Sequence, residues 1–207
     1  LGWNNSHNGG LGFDQQIKIY VLVEIEKMQK TSGFYSALNN PIFYNLVQKI
    51  FSHSATENFV KNELKSGDKA VVCDIGCGTA NILSFLDSDY TYFGFDISED
   101  YIADARLKFK DRSQTVFIAE EFNEKTSKNL PKVDLFIMLG IMHHLSDLDL
   151  HQTLINISKK MNQNGRLITV DPVTFGGQSI VAKMFVGMDR GKAVRSSEGY
   201  LSLLEKE

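Results

Sequence analysis

Two carboxylates and two glycines carry the first chemical signal in this chain. In Val71-Val72-Cys73-Asp74-Ile75-Gly76-Cys77-Gly78-Thr79-Ala80-Asn81 an apolar run ends on Asp74 and breaks into a Gly-x-Gly turn. Glycines spaced by one residue let a backbone turn tightly and approach a ligand without interference from Cβ. Asp96 closes a second apolar run, Tyr92-Phe93-Gly94-Phe95, at the spacing where a carboxylate accepts both hydroxyls of a ribose. Together they point to an adenosine-containing ligand. A third group follows the later run 133–139: His143 and His144, side chains suited to moving a proton near neutral pH.

Asp74 narrows the choice of ligand. A dinucleotide fingerprint asks for a third small residue where Asn81 stands, and a carboxylate two positions before the first glycine would face a pyrophosphate with like charge. A cation would be favoured there instead. S-adenosylmethionine fits, because it has no phosphate, carries a sulfonium and an ammonium, and presents a ribose to the second strand.

The set of residues resembles class I S-adenosylmethionine-dependent methyltransferases, whose first motif is an acidic residue, an apolar residue, then Gly-x-Gly. The resemblance covers about residues 34–205 and implies a Rossmann-like methyltransferase fold. It implies cofactor binding by Asp74, Gly76, Cys77, Gly78 and Asn81, with Asp96 on the ribose, Ile97 against the adenine and Ser98 beside them. Phe117-Ile118-Ala119-Glu120-Glu121-Phe122 resembles the third strand and its acidic turn, with Glu121 and Phe122 at the adenine. The family's usual Gly-Asp pair is Glu120-Glu121 here. Leu139 ends the fourth strand, beneath the methyl group, and Asn164-Gly165-Arg166-Leu167 leads into the fifth strand and Asp171-Pro172. The Asn/Asp-Pro-Pro-aromatic loop of base-amino methylases is missing, so a small-molecule acceptor is expected, at oxygen, nitrogen or an activated carbon.

Methyl transfer is an in-line displacement that needs positioning and desolvation, and a base only when the acceptor carries a proton. His144 is the first choice for that base and His143 the second. A core imidazole beside a capping one is the plain alternative for the pair. Tyr35 could cover the cofactor or face its sulfonium by cation–π attraction, with core packing as the alternative. Arg190 and Arg195 are candidates for an acidic group on the acceptor or else solvated arginines. His143, His144 and His151 are badly spaced for zinc, and no metal is expected. Two rivals remain at this point: an NAD-dependent oxidoreductase of Rossmann type, opposed by Asp74 and Asn81, and a non-catalytic cofactor-binding partner subunit.

The elements that must position these groups follow from periodicity. Apolar runs at 70–75, 91–95, 115–119, 133–139 and 166–171 alternate with helical stretches near 80–87, 98–110 and 149–162, the pattern of a doubly wound, mostly parallel α/β sheet. Asn40-Pro41 opens a helix with Ile42, Phe43, Leu46, Val47 and Ile50 on one stripe. Ser54-Ala55-Thr56-Glu57 opens another that turns Phe59, Val60 and Leu64 inward, and two more helices are read at 176–188 and 197–206. Residues 1–16, rich in Gly and Asn, read as a flexible N-terminal segment, and 17–207 as a single domain. Residues 17–26 carry a strand signal that the family order does not place there. They are expected as an added antiparallel strand beside 166–171, either through circular permutation or as an extra edge or dimer-forming strand.

Bulk composition bounds the rest. A chain of 207 residues with 43% apolar content suffices for one α/β core. A net charge of −3 without a long basic run argues against nucleic-acid capture. Both cysteines lie in the first motif, too close to form a framework disulfide, and no apolar run approaches the ~20 residues of a spanning helix. A cytoplasmic protein without a membrane or nucleic-acid partner, acting on a small molecule, is the expectation, with the oligomeric state open and a homodimer among the options.

Overall fold

The computed structural model describes residues 5–11, 15–21, 59–64, 69–171 and 193–204. The helices read at 41–50 and 176–188, the first part of the one opening at 54, Tyr35 and Arg190 lie outside them.

Seven strands form one sheet: β1 (Asn5–Leu11), β2 (Gln15–Val21), β3 (Val71–Ile75), β4 (Thr91–Phe95), β5 (Thr115–Ile118), β6 (Val133–Leu139) and β7 (Met161–Asp171). Their spatial order is β1-β2-β7-β6-β3-β4-β5. The chain winds outward from β3 through β4 to β5, then returns to the other flank of β3 as β6 and continues to β7, with every one of these pairings parallel. The winding reverses between β3 and β6, and ligands in open α/β sheets bind outside the carboxyl ends of strands at such a reversal.

Alternation along the strands explains the two faces. Cys73, Ile75, Phe136 and Met138 pack on one side with Leu150, Leu154 and Ile157 of α2 (Asp147–Lys160) and with Tyr200 of α3 (Ser197–Leu204). Val72, Leu135, Ile137 and Tyr92 pack on the other with Ile102 and Ala105 of α1 (Glu99–Lys108) and with Phe59, Val60 and Leu64. Both faces of the central strands are therefore covered, which is why their sequence reads as nearly continuous apolar runs. Ser98 caps α1 by accepting from the Tyr101 amide at 3.3 Å, and Ser146 caps α2 by accepting from Asp149 at 3.2 Å. The stretch read as a helix at 80–87 forms only a 3-10 turn, Asn81–Phe85. The Arg112 guanidinium takes up the carbonyls of Leu83 and Leu86, at 2.8 and 3.2 Å, at its end.

The N-terminal strands correct two expectations. Residues 5–11, expected in a flexible segment, form β1 and pair antiparallel with β2. Ladder hydrogen bonds are made by the main chain, so a Gly- and Asn-rich composition at a sheet edge does not forbid them. β2 does lie beside 166–171, from Gln16 opposite Arg166 to Val21 opposite Asp171, but it runs parallel to β7 rather than antiparallel. Side-chain alternation sets which face a strand buries and not its direction. Residues 22–26 lie outside the described residues.

At the opposite end of the sheet from the reversal loops, Asp134 ties three strands. Its carboxylate accepts from the Val71 amide at 2.8 Å and from the Asn162 side chain. Asp134→Ala is expected to lower the unfolding free energy by about 1–3 kcal/mol, because the Val71 amide loses its partner. Urea unfolding checks this, and ligand affinity at the far end should stay within about twofold of the parent.

Candidate functional site

The turn after β3 hangs on the end of β4. Gly76 and Cys77 both donate their amides to the Phe95 carbonyl, at 2.8 and 3.0 Å. Gly76 sits at φ +74°, and a Cβ there would stand 2.1 Å from Ile141 Cδ1, so the loop after β6 lies directly on this glycine. Gly78, at φ +53°, has open space where its Cβ would be. The first glycine thus serves protein packing and the second leaves a free cradle, both in backbone regions that other residues enter at a cost.

Asp96 is held by the turn and the helix that flank it. Oδ2 accepts from the Gly78 amide and Oδ1 from the Ser98 amide, each at 2.9 Å. A carboxylate has about four acceptor positions, so lone pairs remain for a diol. Beside it Ile97 exposes 79% of its surface, an apolar face at the strand end.

Asp74 is buried at 3% exposure, and its Oδ2 accepts from the Tyr92 hydroxyl at 2.6 Å. Burial pushes its carboxyl up to about 7; the Tyr92 hydrogen bond works against this and the charge of Asp96 adds to it. Burial, with Asp74 and Asp96 nearby, also pushes the Cys77 thiol far up, so it stays protonated and donates weakly to the Gly78 carbonyl at 3.5 Å. Cys77 is a wall residue and not a nucleophile.

A cavity of about 770 Å³ opens on this turn, lined by Asp74, Gly76, Cys77, Gly78, Asn81 and Leu139, with Tyr101 and Lys108 farther along. Lys108 donates to Asn81 Oδ1 at 2.7 Å, so Asn81 holds the turn's far side. Asp96, Ile97 and Ser98 stand next to the cavity rather than in its lining. Ser98 acts through its amide and as the cap of α1. Glu121 is exposed, and its carbonyl accepts from Thr126 Oγ1 at 2.7 Å. The Phe122 ring is buried in the core, edge-on to Phe95 at 5.3 Å and to Phe136 at 5.9 Å.

The loop after β6 carries the histidines in a 3-10 turn, Met142–His144. His143 is buried at 4% exposure, and its Nδ1 lies 2.8 Å from Asp171 Oδ1, which also accepts the His143 amide at 3.2 Å. The Thr169 hydroxyl donates to Asp171 Oδ2 at 2.6 Å. With a carboxylate facing Nδ1, the proton belongs on Nδ1 and the basic lone pair on Nε2. His144 is exposed and lays its ring over His143 at 4.1 Å between centroids. Asp171 was not singled out as a site residue by sequence reading. The available signal was a carboxylate ending the strand next to the one that carries the histidines.

Arg195 holds this loop from outside, with its donors directed to protein groups. Its guanidinium donates to Asp147 Oδ1 from Nε and Nη2, to the Met142 and Ala193 carbonyls from Nη1, and to the Leu145 carbonyl from Nη2, over 2.6–3.0 Å. Among the described residues no group of three His, Cys, Asp or Glu side chains is placed to hold a metal.

Comparison with known proteins agrees with this geometry. Residues 73–167 match the model of a methyltransferase domain family. No curated protein matches the sequence. Among solved structures, the chain is similar to the pyocyanin biosynthetic protein PhzM, with a TM-score of 0.61 at 16% identity over 79% of this chain and 50% of that one. It is similar to geranyl diphosphate C-methyltransferase from Streptomyces coelicolor A3(2), solved with S-adenosyl-L-homocysteine, with a TM-score of 0.60 at 14% identity over 74% and 57%. The mitomycin 7-O-methyltransferase MmcR gives a TM-score of 0.57 at 17% identity over 81% and 52%. These likenesses establish the fold, and the chain spans about half the length of each of the three proteins.

Asp74 makes the unliganded protein pH-sensitive. Its folded value of about 7 stands above the ordinary 3.8, so the native state holds the proton more tightly than the unfolded chain does. Its contribution is fully present below pH about 4 and is lost as pH rises through about 7. Relative to Asp74→Asn, the parent should lose unfolding free energy across that window, by on the order of 4 kcal/mol at most. Denaturant titrations of both proteins at pH 4 to 8 check it, and parallel curves would contradict the buried carboxylate.

Proposed function

We propose that this chain, whose residues 73–167 match the model of a methyltransferase domain family, is a class I S-adenosylmethionine-dependent methyltransferase that transfers the cofactor's methyl group to a small-molecule acceptor at oxygen, nitrogen or an activated carbon. One observation carries the reading: a buried carboxylate, a glycine cradle with open space at Gly78, and a doubly anchored Asp96 converge at the reversal of the sheet. The cofactor, when bound, supplies an electrophilic methyl group on a sulfonium.

The chain's own residues do the rest. Asp96 offers its remaining lone pairs to the ribose hydroxyls, while Gly78 and Ser98 fix its orientation in advance. Ile97 supplies an apolar surface for the adenine. Asp74 supplies negative charge where a cation would sit, and a neighbouring cation would favour its ionised form, opposite to the effect of burial. An adenosyl sulfonium is therefore complementary to the turn, and a pyrophosphate is not.

His143 is the base in this reading, in preference to His144. Asp171 fixes its tautomer and would stabilise the imidazolium formed when it takes a proton from the acceptor. His144 is exposed and has no carboxylate orienting it among the hydrogen bonds described above. For an acceptor that carries no proton to lose, the same imidazole only shapes the site. Both cysteines are free thiols, which supports placing the protein in the reducing cytosol. No helix among the described residues is long and apolar enough to cross a membrane.

Calorimetric titration with S-adenosylhomocysteine tests the cofactor assignment. Binding should weaken at least about tenfold in Asp96→Ala, since a charged partner of two ribose hydroxyls is removed, and NAD should not compete. Failure to bind, or preference for NAD, overturns the reading. Once an acceptor is found by screening, His143→Gln should lower kcat by about 10²–10⁴ with little change in S-adenosylhomocysteine affinity. His144→Ala should keep most of the activity, and the reverse ranking would transfer the base to His144.

A further inference from the structure

The groups around His143 leave one large side chain whose purpose the reaction does not state. Arg195 comes from the segment before α3, distant in sequence from the histidines, yet its side chain is only 10% exposed and lies against their turn. A guanidinium has five N–H donors in a fixed planar fork, and here all five are engaged. Nε and one Nη2 hydrogen go to Asp147 Oδ1 at 2.9 and 2.6 Å, and the other Nη2 hydrogen goes to the Leu145 carbonyl at 2.8 Å. The two Nη1 hydrogens go to the Met142 and Ala193 carbonyls, both at 3.0 Å. Met142 and Leu145 bracket the His-His pair.

A second bond closes the same bracket from inside, because the Ala193 amide donates to the His143 carbonyl at 3.0 Å. The base of the fork is itself supported: the guanidinium lies 5.4 Å from the centre of the Tyr200 ring, which is fully buried in the core beneath α3. Tyr200 also lies near enough to Asp171 for that charge to act on its hydroxyl. The imidazole is thus held from two sides, by Asp171 on the ring and by residues 193–200 on the backbone that carries it.

We infer that Arg195 is a positioning residue for His143: its five-donor fork fixes the Met142–Leu145 turn so that the His143 ring keeps its Nδ1 on Asp171. The segment around residues 193–200 is on this view part of the active centre, although it touches no reacting atom. The inference rests on His143 as the proton acceptor, and it assigns the specificity of the fork to its shape as well as its charge. A lysine at 195 would keep the charge opposite Asp147, but its three donors diverge from one nitrogen and cannot span three carbonyls and a carboxylate in one plane.

Histidine-selective ¹⁵N labelling reads this directly, with the His143 signals identified by their loss in His143→Gln. The wild-type protein should show a fixed Nδ1–H tautomer for His143. In Arg195→Ala and Arg195→Lys, His143 should shift toward the tautomer mixture of a solvent-exposed histidine, while S-adenosylhomocysteine binds within about threefold of wild type. Added guanidinium ion should return Arg195→Ala toward the wild-type signature. Should Arg195→Ala fail to fold, Asp147→Ala, at a site 75% exposed, removes the outer anchor and should loosen the tautomer in the same direction. An unchanged His143 tautomer in whichever variants fold overturns the inference. Loss of S-adenosylhomocysteine binding by the wild type would instead overturn the methyltransferase reading and leave the tautomer result to stand by itself.

Discussion

The structure depends on a carboxylate kept out of water. Asp74 lies at the end of the central strand, where its neighbours in sequence alternate into two apolar layers, and it faces the layer that contains Tyr92. Burying an ionised carboxylate is costly unless it is paired, and a single hydroxyl at 2.6 Å only partly offsets that cost. The raised protonation equilibrium is the visible consequence. A cation arriving at the turn would complete the pairing that the fold leaves incomplete.

The glycine turn is where that residue is coupled to the rest of the site. It is anchored to β4 through the Phe95 carbonyl and to the Asp96 carboxylate through the Gly78 amide, so the two acidic groups are coupled through the main-chain amides of the turn. On its other side Gly76 receives Ile141 from the loop after β6. The half of the site proposed to hold the adenosyl group and the half that carries the imidazole therefore meet at one position that admits no side chain. The reversal of the sheet makes this meeting possible, since β3 and β6 are neighbours in space although β4, α1 and β5 intervene in sequence.

Legibility in the sequence followed the range of the interaction involved. Asp74, Gly76, Gly78 and Asp96 were readable because their constraints are local: a strand end, a turn and a strand end at a fixed spacing. The parallel strands and both longer helices were readable for the same reason, as short apolar runs alternating with helical stretches, while the capping roles of Ser98 and Ser146 came from the structure. Phe122 was misplaced because an apolar residue after an acidic turn looks alike whether it faces a ligand or a core, and here Phe95 and Phe136 claim it. The strand at Asn5–Leu11 was illegible because main-chain pairing with the adjacent β2 leaves no side-chain signature in a Gly- and Asn-rich run, and the direction of Gln15–Val21 because it is set by pairing with the distant β7. Asp171 and Arg195 belong to the same class, each tied to the histidine turn across a long sequence separation.

That last pair bears on how the imidazole is held. A hydrogen bond between His143 and Asp171 fixes the ring only if the backbone beneath the ring is itself fixed, and a short 3-10 turn after a positive-φ glycine has little intrinsic rigidity. Asp171 accepts both the ring and the amide of His143, which sets the turn's height above β7 but leaves its outer edge free to tilt. The Arg195 fork closes that edge by engaging carbonyls on both sides of the pair. Rigidity under the imidazole is thus assembled from two groups distant in sequence: a strand-end carboxylate and a planar cation borrowed from the segment leading into α3.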